Sequence, residues 1–136
     1  MVSKENLLEI AEEDDIPVME IECSKSGSIS LMTDEGCYIG VDRKTPDRMY
    51  KERIAHELGH CKKGAFYNRY SPYDIISRHE ARANKWAIET LCPEQELIEE
   101  LEKGNQSIYE LAEHFGVSED FMIKACKHYG YYNEAI

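Results

Sequence analysis

Long apolar runs and an excess of positive charge are both missing from this chain of 136 residues. A membrane-spanning helix needs about 18 or more consecutive apolar residues, and no stretch approaches that length. With 16 basic and 27 acidic residues the net charge is −11, which argues against a general affinity for nucleic acids or anionic membranes. Residues 1–16 carry six acids and no apolar run of signal-peptide length, so we expect a cytoplasmic protein.

The chain also lacks any pair of cysteines in a C-x-x-C arrangement. Zinc ribbons and disulfide-stapled folds use paired cysteines, whereas the cysteines here are odd in number and widely spaced. The pattern therefore predicts reduced thiols at all five positions, which are Cys23, Cys37, Cys61, Cys92 and Cys126.

The negative charge is unevenly distributed. Residues 1–45 and residues 94–136 each carry a net charge of −7, and we expect these two flanks to be solvated faces. Residues 46–93 carry +3 and include three of the five histidines. The central segment therefore differs from the rest of the chain, and it also contains the residues that carry the chemistry.

Alternating apolar and polar residues predict the strands of one α+β domain over residues 1–136. The alternation occurs in residues 19–23, 28–31 and 37–41, with turn sequences between the runs. The simplest arrangement is a three-stranded antiparallel meander with one buried face.

Helix signals surround these strands. Capping residues, prolines and glycines predict helices over residues 3–15, 46–61, 73–91 and 93–103, and two more that begin at Ser107 and Ser118. For the second helix, Thr45 is the expected N-cap and Gly64 is able to end the helix. We assign residues 1–92 to a catalytic core and residues 93–136 to a helical C-terminal subdomain with a pattern like that of a helix-turn-helix.

Residues 56–60 read His-Glu-Leu-Gly-His and lie within the second predicted helix. Side chains four residues apart lie on one face of a helix, so His56 and His60 can bind one metal ion. Glu57 lies beside the first histidine, where its carboxylate can reach a water molecule at the metal. The motif therefore predicts a metal site in which Glu57 can contact a metal-bound water molecule.

A catalytic zinc site needs a third protein ligand, and His79 and Glu80 are the two candidates. Glu80 shares a helix face with the apolar residues that follow it at intervals of three and four, whereas His79 lies on a more lateral face. The positions of the two residues around the helix therefore favour Glu80 as the third ligand, and His79 stays open as the alternative.

The combination of the first motif with Glu-Ala-Arg-Ala-Asn at residues 80–84 resembles the HExxH…ExxAN signature of the ImmA/IrrE family of metallo-endopeptidases. The resemblance covers nearly the whole chain and implies a small zincin-like unit. It implies a Zn²⁺ ion held by His56, His60 and Glu80, with Glu57 as the base. It also implies an anti-repressor of a prophage or mobile element, whose protein substrate is a helix-turn-helix transcriptional repressor.

Four further residues lie close to these ligands in the sequence. Asn84 matches the motif, and we expect it to orient a ligand through a hydrogen bond whose partner the sequence does not identify. Tyr67, Tyr70 and Tyr73 lie close in sequence to the ligands, and packing is the simpler interpretation for each of them. An oxyanion-stabilising residue and the oligomeric state are not predictable from the sequence.

Two other functions remain open at this point. The helical tail could bind DNA, but Glu119 and Asp120 would occupy the first turn of its recognition helix and repel phosphates, so we expect no direct contact with nucleic acid. The metal site could instead belong to a protein that senses a signal or inactivates its partner by binding.

If the chain is a peptidase, an extended substrate is expected to pair with residues 36–41, the strand nearest in sequence to the metal helix.

Overall fold

A computed structural model describes residues 1–22, 26–68, 70–104 and 107–132, and it confirms the α+β class. The elements in chain order are α1 (Lys4–Glu13), β1 (Val18–Ile21), β2 (Ser28–Thr33), β3 (Gly36–Asp42), α2 (Asp47–Lys63), α3 (Tyr73–Leu91), α4 (Glu94–Glu102), α5 (Ile108–Phe115) and α6 (Glu119–Tyr129). Within the described residues, no helix is long and apolar enough to cross a membrane. The predicted first strand and its turn include residues 23–25, which lie outside the described residues.

The three strands form a mixed sheet in the order β1-β3-β2, so the predicted antiparallel meander is wrong. β3 lies in the centre, parallel to β1 and antiparallel to β2. Its side chains explain this position, because Ile39 and Val41 are completely buried. Apolar alternation identifies a strand but not the partner or the direction of pairing, and this is why the sequence did not predict the order.

The prediction of one buried apolar face holds for β3 and fails for β2. Ile29 and Leu31 are 41% and 53% exposed. The serines between them, Ser28 and Ser30, pair with Val41 and Ile39 and therefore share the buried face of β3. β2 thus turns Ser28 and Ser30 toward α2 and turns Ile29 and Leu31 toward solvent.

Helix α2 packs between the sheet and α3, and its buried side is formed by Ile54 and Leu58. Gly64 ends this helix with φ = +60°, as the sequence predicts. The prediction that Thr45 is the N-cap is wrong, because α2 begins after Pro46 without a side-chain cap. The Thr45 hydroxyl instead accepts a hydrogen bond from Nη1 of Arg53 at 2.6 Å.

The expectation that all cysteines are reduced thiols is wrong for two of them. Cys37 on β3 and Cys61 on α2 form a disulfide bond, with Cα atoms 6.0 Å apart. Cys92 and Cys126 are buried free thiols, as expected. The two bonded residues lie 24 positions apart, and only the packing of β3 on α2 brings them together.

The helical tail packs against the core rather than standing apart from it. The buried Lys51 of α2 donates hydrogen bonds to the carbonyls of Val2 at 2.8 Å and Phe115 at 2.9 Å. Glu52 accepts a hydrogen bond from the backbone N–H of Ser118, the N-cap residue of α6. These contacts hold α6 beside α2 and α3, close to the residues of the predicted metal site.

Candidate metal centre

The structure brings His56, His60 and Glu80 together at the contact between α2 and α3. The Nε2 atoms of the two histidines are 3.2 Å apart. The Glu80 carboxylate reaches both rings, with Oε2 at 2.9 Å from Nε2 of His56 and Oε1 at 3.4 Å from Nε2 of His60. Within the described ranges this is the one group of three side chains that could hold a metal ion, with ligand atoms that all lie within 4.8 Å of one another.

A glycine in the first motif permits this close approach. A Cβ atom on Gly59 would lie 2.6 Å from the carbonyl oxygen of Ala83, well inside van der Waals contact. The two helix backbones therefore touch at the level of the ligands, because residue 59 has no side chain. Glu80 lies one turn before Ala83 on α3, so this contact sets its distance from the histidines.

Each histidine has its second ring nitrogen in a hydrogen bond. Nδ1 of His56 donates to Oδ1 of Asn84 at 2.8 Å, and Nδ1 of His60 donates to the carbonyl oxygen of Ala65 at 2.5 Å. With Nδ1 protonated in both rings, the lone pair of each Nε2 points toward Glu80 and can bind a metal. The partner of Asn84 that the sequence left unidentified is therefore His56.

The chemistry of these donors fits a divalent zinc ion. Two neutral imidazole nitrogens and one carboxylate form a set of three protein ligands typical of catalytic zinc sites. The hydrogen bonds from Nδ1 to Asn84 and Ala65 fix the tautomer of each histidine in the form that ligation needs.

Glu57 lies beside this group and is only 6% exposed. Its Oε2 atom accepts a hydrogen bond from the hydroxyl of Ser28 at 2.7 Å. Ser28 is the first residue of β2 and lies 29 positions from Glu57. Sequence reasoning missed this residue because no local pattern connects a strand serine with a carboxylate on a distant helix.

Tyr67 is the tyrosine of the connecting segment that reaches the site. Its hydroxyl donates a hydrogen bond to Oε1 of Glu80, and this bond is the main reason that the pKa of Tyr67 is raised to about 12. Burial alone would raise the pKa of the Glu80 carboxyl, but the Tyr67 hydrogen bond and the two histidines outweigh it and lower that pKa. Tyr70 and Tyr73 are 79% and 84% exposed and do not line the cavity at the ligands.

His79, the alternative third ligand, does not join the metal-binding group. Its ring stacks on that of Tyr67 with centroids 6.4 Å apart. Its Nδ1 atom is buried and has no hydrogen-bond partner among the described residues. The helix phase that favours Glu80 over His79 in the sequence agrees with this geometry.

A cavity of about 440 Å³ opens at the ligands and is bordered by β2. This location contradicts the prediction that residues 36–41 form the docking strand, because β3 is paired on both sides, whereas β2 is an edge strand and borders the cavity. The backbone N–H of Asp42 donates to the carbonyl of Gly27, and hydrogen-bonded pairs alternate along an antiparallel ladder. Ser28, Ser30 and Met32 therefore direct their N–H and C=O groups toward the free edge, where the carbonyl of Ser28 already accepts a hydrogen bond from the Ser26 hydroxyl at 2.9 Å.

Comparison with known proteins agrees with the motif and with the geometry. Residues 11–127 match a peptidase family described as the IrrE N-terminal-like domain. The match includes α2, α3, the whole sheet and the helical tail as far as most of α6. A search of curated proteins found no match.

Proposed function

The chain belongs to the IrrE N-terminal-like family of metallopeptidases, and from this premise we propose that it is a zinc-dependent endopeptidase of the HExxH type. We propose a cytoplasmic site of action and, as substrate, a helix-turn-helix transcriptional repressor, which would make the protein an anti-repressor of a prophage or mobile element. The observation that carries the catalytic part is the convergence of His56, His60 and Glu80 beside the buried Glu57.

His56, His60 and Glu80 would hold the metal. When bound, zinc polarises the scissile carbonyl and lowers the pKa of a water molecule. The hydrogen bonds of the two Nδ1 atoms keep both rings in the required orientation, so the protein does not have to reorganise them for metal binding.

Glu57 would act as general base and then as general acid. Ser28 engages Oε2 of this carboxylate and fixes its orientation, so we assign proton transfer to Oε1. Oε1 takes the proton from the attacking water and then delivers it to the leaving amine, as peptide hydrolysis requires. Burial of Glu57 keeps bulk water away from this step.

The free edge of β2 would hold the substrate as an extended segment. Ser28, Ser30 and Met32 offer main-chain donors and acceptors to such a segment, so affinity would come from backbone pairing. A helix-turn-helix repressor would then have to present an extended or locally unfolded stretch, because a helix has no free main-chain groups to pair with the edge.

Replacement of Glu57 by Gln tests the proposal because it keeps the size of the side chain and all three metal ligands. The zinc-loaded protein is expected to keep its metal and to lose about 10²–10⁴-fold in the rate of cleavage, the usual contribution of a positioned base. The assay co-expresses each protein with the helix-turn-helix repressor proposed as its substrate and measures the formation of a defined repressor fragment. Ser77→Ala, on the exposed side of α3, serves as a matched control.

Two results would contradict the proposal. Cleavage by the Glu57→Gln protein at the rate of the unmodified protein would exclude Glu57 as the base. If the unmodified protein and the Glu57→Gln protein both release an intact repressor from DNA, inhibition occurs by binding. The assignment of endopeptidase activity to this chain would then be wrong.

A further inference from the structure

A second cavity continues from the metal ligands toward the helical tail. It has a volume of about 480 Å³ and shares Ser26, Ser28, His56 and Glu80 with the first cavity. Phe121 and Lys124 of α6 and Arg53 of α2 also line it. We call this second cavity the α6 arm.

Arg53 is held firmly at the side of the α6 arm. Its guanidinium donates to the Thr45 hydroxyl and lies against Gly27, where a Cβ atom would be only 2.3 Å from Cζ of the arginine. Gly27 also has φ = +78°, a conformation that favours glycine. The absence of a side chain at residue 27 leaves room for the guanidinium, and the hydrogen bond to Thr45 holds it there. Arg53 forms no ion pair with any described carboxylate.

Lys124 is an exposed residue of α6, and it likewise forms no ion pair within the described part of the chain. The acid that lines the α6 arm besides the metal ligand is Glu52, whose Oε1 is engaged by the N–H of Ser118 at the start of α6. Burial raises the pKa of Glu52, while Ser118 and the charge of Lys124 act in the opposite direction. Besides the metal ligand Glu80, the arm thus holds two cations and one carboxylate, and that carboxylate already binds the first residue of the α6 cap, in a protein whose net charge is −11.

The direction of β2 shows which part of a substrate would enter the α6 arm. Ser28 lies beside Glu57, and the strand then runs along the first cavity toward Leu31. A peptide paired antiparallel to β2 runs from Leu31 toward Ser28, so the residues after the scissile bond pass Ser26 and enter the arm.

We propose that the α6 arm is a substrate subsite that selects an acidic side chain on the carboxyl side of the scissile bond, through Lys124 and Arg53. This inference rests on the proposed peptidase function and specifies its substrate class. It also gives the helical tail a direct part in recognition. A metal held by His56, His60 and Glu80 would add positive charge at the near end of the arm and would favour the same anionic side chain.

The test uses peptides that are anchored on the metal and need no cleavage. Two short peptides carry a zinc-chelating hydroxamate at the amino-terminal end and differ only in the next residues, which are acidic in one and lysine in the other. Calorimetry with zinc-loaded protein is expected to show about three- to tenfold tighter binding of the acidic peptide. Lys124→Glu should reverse the preference, and Lys85→Glu, the same charge change outside the arm, should leave it intact.

A second pair of peptides, one acidic and one with lysine, carries the hydroxamate at the carboxyl-terminal end. These peptides control for the direction of the bound chain, because they extend away from the α6 arm. Three results would overturn the inference and leave the peptidase proposal standing. The first two peptides could bind equally well, or the acidic peptide could be preferred only in the reversed pair. Lys85→Glu could also change the preference as much as Lys124→Glu does. If the protein takes up zinc but binds no hydroxamate, or takes up no zinc, the proposed catalytic site fails as well.

Discussion

Gly59 on α2 and Ala83 on α3 lie in direct backbone contact, and this contact sets the width of the metal site. The position of a Cβ atom on residue 59 would be 2.6 Å from the carbonyl oxygen of Ala83 and 2.9 Å from its Cα. Both obstacles are backbone atoms, which cannot rotate away as a flexible side chain can. The glycine within the His-Glu-Leu-Gly-His motif therefore has a packing function that is separate from the chemistry of its neighbours.

Gly59→Ala is expected to weaken zinc binding by about tenfold or more, the order seen when contacts that orient metal ligands are lost. The methyl group forces the two helices apart and moves Glu80 away from the histidines. Stability is a poorer readout, because the better helix propensity of alanine offsets part of the cost of overpacking. Competition with a chelator measures the affinity, and a variant that binds zinc like the unmodified protein would refute the role of this contact.

Asn84→Ala should reduce zinc affinity by about 10–100-fold, because His56 loses the acceptor that orients its ring. Asn84→Asp retains an oxygen at this place and should keep most of the affinity. The same chelator competition compares both variants. Equal losses in the two variants would indicate a packing effect rather than the hydrogen bond to His56.

Ser30→Pro should weaken the binding of a peptide substrate by about two- to tenfold, as expected for the loss of one hydrogen bond. Proline removes an N–H that faces the free edge of β2, so the bonds to β3 and the zinc content should not change. Ile29→Pro is the matched contrast, because that N–H faces β3 and its loss should lower stability. If KM is unaffected in folded, zinc-loaded Ser30→Pro protein, the β2 edge is not the docking strand.

Lys51→Met is expected to lower the free energy of unfolding by about 1–3 kcal/mol, because the carbonyls of Val2 and Phe115 lose their donor. Urea unfolding measures the change, and Lys63→Met at the exposed end of α2 is the control. If Lys51→Met lowers the free energy of unfolding no more than Lys63→Met does, Lys51 does not stabilise the docking of the tail.

The cost of burying Lys51 should depend on pH. Burial lowers the pKa of its ammonium below the ordinary value of 10.5. Between the lowered pKa and 10.5 the unfolded state binds more protons than the folded state, so this residue's contribution to stability rises as the pH increases through that window. The stability difference between the unmodified protein and Lys51→Met should therefore widen toward pH 10.5, and a difference independent of pH would contradict the assignment.

The helices and the candidate metal ligands are predictable from the sequence because the forces that define them are local. The four-residue spacing of His56 and His60 and the phase of Glu80 depend only on helix geometry. Ser107 and Ser118 each cap the helix that follows, with a side-chain oxygen that accepts a backbone N–H three residues on.

The tertiary structure decided the features that depend on contacts between distant segments. The parallel pairing of β1 with β3, the disulfide between Cys37 and Cys61, and the hydrogen bond from Ser28 to Glu57 leave no periodic signal in the sequence. Alternation shows that a segment is a strand, but pairing is a choice among distant partners that depends on how the whole chain packs. The chain by itself therefore specifies the three candidate ligands, while the folding of β2 and α6 around them determines what can approach the site.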